Sequence, residues 1–181
     1  MHAVIPPLLT LLFSLNSLAL VPPQGGKDVV TGKEIKVTAP TKARVVVFLS
    51  AHCPCSAAHE SVLATLHQRF TPQGVEFLAI NSNANETETE SKAHFTKARL
   101  PFPVIHDPKA SWADQFGALK TPHAFVLDGN NDVVFSGGVD DSREAKPDSK
   151  QYLALALEAV LAGRKPDPSS VRAIGCVITR P

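Results

Sequence analysis

With 181 residues, 44% of them apolar and 19% charged, the chain carries enough apolar material for one globular domain with segments left over at its ends. Its formal net charge of +1 creates no field suited to a polyanion, so nucleic acid is not an expected partner. No internal repeat, charge run or dinucleotide- or phosphate-type glycine pattern occurs, so no cofactor is expected.

Residues Ala3 to Leu20 are apolar and end in the small-residue pattern Ser17-Leu18-Ala19, followed by Pro22-Pro23-Gln24-Gly25-Gly26-Lys27. This pattern predicts an export signal over 1–19 and a linker over 20–27. An uncleaved anchor is the alternative, because Met1-His2 lacks the usual basic residue, but Pro6, Pro7, Ser14 and Asn16 weaken a spanning helix. With the signal removed, no membrane span is expected. The mature segments then read as a domain over 28–163 and a tail over 164–181.

Val29 to Val37, with Gly32-Lys33 inside, predicts a short hairpin. Val45-Val46-Val47-Phe48-Leu49 is apolar throughout, as a buried central strand is. Directly after it comes Ser50-Ala51-His52-Cys53-Pro54-Cys55-Ser56. Pro54 suits the first turn of a helix, where its missing amide hydrogen has no partner to lose. The helix continues to Phe70 with Val62, Leu63, Leu66 and Phe70 on one face. A second strand is expected over Val75–Ile80, a polar outer helix over Glu86–Leu100 and a short strand over Phe102–Ile105.

Ala110–Phe116 predicts a short helix capped by Gly117. Asp128-Gly129-Asn130-Asn131 is a hairpin turn between strands at Ala124–Leu127 and Val133–Phe135. A last helix over Lys150–Ala162 stops at Gly163. The tail that follows is extended and carries Cys176. Strands alternating with helices, then a hairpin and a helix, fit a mixed α/β sheet covered on both faces.

All three cysteines, Cys53, Cys55 and Cys176, lie beyond the leader. An odd number leaves at least one thiol unpaired within the chain, which favours exchange chemistry or metal binding over structural stapling. Cys53 falls at a helix N-terminus, where free amides and the helix dipole favour the thiolate; the plain alternative is an inert buried thiol. Cys55 either packs on the first turn or joins Cys53 in a strained disulfide, since bridged α-carbons must lie about 4.4–6.8 Å apart. Cys176 follows the last helix by about twelve residues, and at about 3.3 Å each the tail reaches back over a small domain. It is either a resolving thiol or a packed tail residue beside Ile174 and Ile178. His52 and His123 flank the expected site, where an imidazole either steadies a thiolate, joins a soft-metal site or is incidental. His59, His67, His94 and His106 show no metal-ligand spacing and read as surface or helix residues. Asn81, Ser82, Asn83 and Asn85 read as a polar rim, Asp140 and Asp141 as turn residues.

Phe48-Leu49-Ser50-Ala51-His52-Cys53 is similar to the strand-to-cysteine approach of thioredoxins, and Lys120-Thr121-Pro122-His123-Ala124-Phe125-Val126-Leu127-Asp128 resembles their Thr–cis-Pro strand. The stretch from Asp107 to Ala118, together with Gly138-Val139-Asp140-Asp141, extends the resemblance to the peroxiredoxin-like redoxins of the alkyl hydroperoxide reductase and thiol-specific antioxidant superfamily. The resemblance implies a thioredoxin fold, a cis bond at Thr121–Pro122 facing Cys53, and substrate held by Thr121 and Pro122 with His52 nearby. The departures are informative. Ser56 stands where thioredoxins have their second cysteine, and Val47 stands at their buried acid. Val46 and Ser50 stand where peroxidatic enzymes carry proline and threonine.

The expected function is therefore an exported thiol–disulfide oxidoreductase. Cys53 attacks, Cys176 or Cys55 resolves, and the partners are a protein or small-molecule disulfide and a thiol electron donor. The rivals are a copper-binding or copper-delivering domain using Cys53, Cys55, Cys176 and His123, and a thiol peroxidase passing through a Cys53 sulfenic acid.

Overall fold

The computed structural model describes residues 24–181, so the expected leader at 1–19 lies outside the described residues. The chain builds a five-stranded mixed sheet around β3 (Ala43–Leu49), whose seven residues are all buried. Its parallel neighbour is β4 (Val75–Asn81) and its antiparallel neighbour is β7 (His123–Asp128). β5 (Val104–His106) extends the sheet beyond β4, and β8 (Val133–Gly137) extends it beyond β7.

Both faces of β3 are covered, which is why it is apolar apart from Arg44, whose buried guanidinium pairs with Glu76 at 2.8 Å. Its side chains still divide with a period of two. Val45, Val47 and Leu49 enter one core with Leu63, Leu66 and Phe70 of α1 (Pro54–Phe70) and Leu153 and Leu157 of α4 (Tyr152–Leu161). Val46 and Phe48 enter the other with Ala113 and Phe116 of α3 (Ser111–Phe116) and with Ile178 of the tail. Helices therefore cover both faces, in a mixed α/β thioredoxin-type arrangement. Among the described residues no helix is long and apolar enough to cross a membrane.

Several boundaries differ from the sequence expectation. β1 (Gly25–Lys27) lies inside the segment expected to be a linker and pairs with β2 (Glu34–Lys36). The intervening turn is held by the buried Asp28 carboxylate, which accepts from the Thr31 amide at 2.7 Å and from the Val104 amide at 3.0 Å. That second bond ties the hairpin to β5. α2 runs over Glu88–Ala98 and opens with a capping box between Thr87 and Glu90. Glu86, expected at the start of this helix, precedes it and is buried.

The tail is extended but firmly held. It pairs beside Ser136 of β8, where the Ser136 amide donates to Ser169 and the Val171 amide donates to Ser136, both at 3.0 Å. It then forms β9 (Cys176–Val177) against β6 (Lys120–Thr121). The bond between Thr121 and Pro122 is cis.

Phe48 packs edge-on to Phe116 and Phe125, with ring centroids 5.7 and 5.8 Å away. Phe48→Ala is expected to cost about 3–5 kcal/mol, read as a lower urea midpoint with an unchanged denaturant slope.

Candidate functional site

The nucleophile loop is the connection from β3 to α1. Cys53 is the N-cap of α1, with extended backbone angles of φ −93° and ψ 113°, and its side chain caps no amide. Pro54 stands in the first turn, as the helix-start argument requires. No capping oxygen therefore occupies the free amides of that turn, and they are available to a charge that develops on the sulfur.

Glu86 organises the loop. Its carboxylate accepts from the Ser50 hydroxyl, from the Ala51 amide at 3.0 Å and from the His52 amide at 3.4 Å. It also accepts from the Asn81 side-chain amide at 2.7 Å and the Ser91 hydroxyl at 3.4 Å. A buried carboxylate is tolerable when its lone pairs are occupied in this way. Asn81 in turn donates to the Leu49 carbonyl at 3.3 Å, so the end of β3 and the loop after it share one anchor.

Cys53 is 1% exposed and Cys55 is 7% exposed, whereas Cys176 is exposed. All three thiols are free. As a thiol, Cys53 donates to the Thr121 carbonyl at 2.9 Å. Thr121 stands directly opposite Cys176 in the β6–β9 pairing, which brings Cys176 beside Cys53. Burial opposes ionisation of Cys53, but the Cys176 thiol, Thr121 and the amides of Ser56 and Cys176 donate to the sulfur and bring its pKa down to about 7. The Thr121 hydroxyl is buried with no hydrogen-bond partner among the described residues, which leaves it free to serve the sulfur when Cys53 ionises.

Cys176 moves the other way. Its hydrogen bond to Cys53, partial desolvation and the negative charges of Cys53 and Cys55 push it up to about 11, against the pull of the Arg143 guanidinium. Cys55 is raised by burial and by the charge on Cys53, again with Arg143 opposing. The pair thus keeps its proton on Cys176 and its charge on Cys53.

The two flanking histidines are not part of this cluster. His52 is half-exposed and lies 3.6 Å from Glu90. His123 faces Ser136 Oγ at 3.1 Å and takes the Leu119 amide on its other nitrogen at 3.5 Å. Burial lowers its pKa to about 4, so near neutral pH it carries no charge to lend a thiolate. Among the described residues no three His, Cys, Asp or Glu side chains form a group able to hold a metal ion. Ser50, which stands where peroxidatic enzymes have threonine, spends its hydroxyl on Glu86 and accepts from the His52 amide at 3.2 Å.

Sequence reasoning missed three buried groups, Glu86, His59 and Asp140. Glu86 leaves a weak trace, an acid just before a capping box, but its role depends on Ser50, which lies 36 residues earlier. His59, read as a surface or helix residue, is 1% exposed. Its Nδ1 donates to the Cys55 carbonyl at 2.7 Å and its Nε2 lies 3.0 Å from Asp140 Oδ1. Asp140, read as a turn residue, is equally buried and links the first turns of α1 to the loop after β8.

Residues 26–154 match the redoxin family model. Among curated proteins, FixW of Rhizobium leguminosarum is 27% identical over 135 residues, 68% of this chain and 61% of FixW. The thiol-disulfide oxidoreductase ResA of Halalkalibacterium halodurans is 25% identical over 96 residues, 52% of this chain and 53% of ResA. The chain thus spans less than two thirds of either relative. An uncharacterised conserved protein from Geobacillus kaustophilus is 29% identical with a TM-score of 0.78, covering 87% of this chain and 88% of that one. A secreted disulfide oxidoreductase from Mycobacterium tuberculosis, 14% identical, superposes with a TM-score of 0.53 over 60% of this chain and 78% of its own, a likeness of fold alone.

Two outcomes follow from the site. Glu86→Ala leaves several buried donors unpaired at about 1–3 kcal/mol each, so a loss of at least about 3 kcal/mol is expected in urea unfolding, with slower alkylation of Cys53. Thiolate absorbance of the reduced protein is expected to rise with a midpoint near pH 7 from Cys53. Cys176→Ser exchanges a thiol donor for a hydroxyl and Cys176→Ala removes it, so the alanine variant is expected to titrate at higher pH than the native protein.

Proposed function

Because the chain belongs to the redoxin family, we propose that it is an exported thiol–disulfide oxidoreductase whose working pair is Cys53 and Cys176. The observation that carries this reading is the cross-strand placement of Cys176 opposite Thr121, beside the buried sulfur of Cys53. Relatives such as ResA are thiol-disulfide oxidoreductases, and the apolar leader at residues 3–20 supports export. Thr121 and Pro122 frame the sulfur, as the resemblance to thioredoxins implies.

In the reductive direction the Cys53 thiolate attacks one sulfur of a substrate disulfide and expels the other as a thiolate, which takes up a proton. Cys176 gives up its proton and attacks the Cys53 sulfur of the mixed disulfide. The second substrate thiol leaves, and a Cys53–Cys176 disulfide remains. The substrate gains two electrons, the protein pair loses two, and a thiol electron donor restores them. Formation of the mixed disulfide removes the hydrogen bond to the Cys53 thiolate and the charge behind it, the first of which is the main cause holding the Cys176 pKa up, so the resolving thiol ionises more readily once it is needed. In reverse, the low pKa of Cys53 makes it the better leaving group when a donor thiolate attacks Cys176.

Cys55 is accessory: its pKa is raised, and it sits inside the first turn of α1 rather than across the site from Cys53. The copper and peroxidase readings rank below this one. The candidate ligand His123 is engaged with Ser136 and Leu119, and the Ser50 hydroxyl is engaged with Glu86.

Disulfide mapping by mass spectrometry tests the pairing. A reversible Cys53–Cys176 bond is expected after mild oxidation, with Cys55 free. Cys53→Ser should lower exchange by on the order of a thousandfold or more, and Cys55→Ala should retain most of it. Cys176→Ser should accumulate a mixed disulfide on Cys53. A Cys53–Cys55 bond in the oxidised native protein would overturn the assignment.

A further inference from the structure

The backbone edge beside Cys53 is already occupied by the chain itself. An extended polypeptide substrate would have to lie along β6 at Thr121, as strand-adding peptides lie along a free sheet edge. β9 holds that place, with Lys120 paired to Val177 and Thr121 paired to Cys176, and the Ile178 amide donates to Leu119 at 3.0 Å. Cys176 is thus presented to Cys53 in the position a substrate cysteine would take.

The fit is close. A Cβ on Gly175 would lie 2.0 Å from the Thr121 carbonyl oxygen and 3.3 Å from Pro122 Cδ, so only glycine lets the tail approach this near. The far end is clamped. Ile178 is 2% exposed in the second core. The Thr179 amide donates to Asn83 Oδ1 at 3.1 Å, and its carbonyl accepts from the Ala84 amide at 2.8 Å. Arg180 reaches Asp114 at 2.7 Å and the Ala118 carbonyl at 2.9 Å. Beneath this strap the Cys53 sulfur belongs to a residue 1% exposed.

We propose that the tail fills the place of a polypeptide strand, and that the site therefore exchanges with low-molecular-weight disulfides rather than with disulfides carried on proteins. This rests on the exchange chemistry proposed above and narrows its substrate class. Cys176 is exposed, and a turn of its side chain to another rotamer breaks none of the strap's backbone bonds. A small disulfide needs no more room than that, whereas a polypeptide needs the whole of β9 removed. The balance is unchanged: a small disulfide becomes two thiols, and the reduced protein becomes the Cys53–Cys176 disulfide.

The test is a single turnover of the full-length reduced protein, mixed separately with hydroxyethyl disulfide, oxidised glutathione and insulin at equal disulfide concentration. Formation of the Cys53–Cys176 bond is followed by quenched mass spectrometry. The small disulfides are expected to oxidise the protein at least about tenfold faster than insulin, because burial of one aliphatic side chain alone keeps an undocked tail rare by about one to two orders of magnitude. Insulin reacting as fast as the small disulfides overturns the inference while leaving the exchange chemistry intact; no reaction with any of the three overturns both. Gly175→Ala, which forces the tail off β6, and Arg180→Ala, a milder surface change, are each expected to raise the insulin rate. An unchanged insulin rate in both variants overturns the assignment of selectivity to the tail.

Discussion

Burying the Cys53 sulfur removes the water that would stabilise its charge, and every neighbouring group at the site acts against that penalty. Donors from three separate segments replace the lost solvent: the first turn of α1, Thr121 of β6 and Cys176 of the tail. The competition is close enough that the result is a pKa of about 7 rather than a fully suppressed one. A thiol poised near neutral pH combines a usable thiolate fraction with retained nucleophilicity. Cys176, whose proton is the one being donated, is displaced upward to about 11 by the same interaction. One hydrogen bond therefore assigns different roles to two chemically identical side chains.

That hydrogen bond exists only if two distant pieces of chain are held to a common reference. The loop after β4 supplies it. Asn81 and Glu86 grip the end of β3 and the residues leading to Cys53. Asn83 and Ala84, between them, grip Thr179 three residues beyond Cys176. The polar run expected to be a cleft rim is therefore a bracket between the segments that carry Cys53 and Cys176. Loops carried on a rigid sheet commonly hold functional groups in this way. The His59–Asp140 pair supports the site from below, joining the carbonyl of Cys55 to the loop after β8. Thioredoxins bury an acid at the position of Val47; here the buried carboxylates enter from Glu86 and Asp140 instead.

Much of this fold was legible in advance because its signals are local. An apolar run such as Val45–Leu49 has few alternatives to a central strand, and a proline directly after a cysteine marks a helix start. The turn at Asp128–Asn131 and the stop at Gly163 are similarly self-contained. Errors arose where a residue's environment is set by another segment. Gly25–Lys27 looked like a linker because its pairing partner, Glu34–Lys36, is itself short and polar. His59 looked superficial because nothing near it in sequence indicates Asp140, which lies 81 residues on.

The sequence by itself determined the placement of Cys53 at a helix N-terminus, because that rests on contiguous residues whose backbone preferences point one way, while the fold family and the cis bond at Thr121–Pro122 were legible only through the resemblance of two short motifs to thioredoxins. It also showed that the tail is long enough to return to the site. Only the tertiary structure decided which groups meet the sulfur: Cys176 and Thr121 rather than His52 or His123, with Glu86 as the anchor of the loop. The reason is physical. Hydrogen bonds and burial depend on distances between segments, and those distances exist only after the sheet has assembled and the tail has docked upon it.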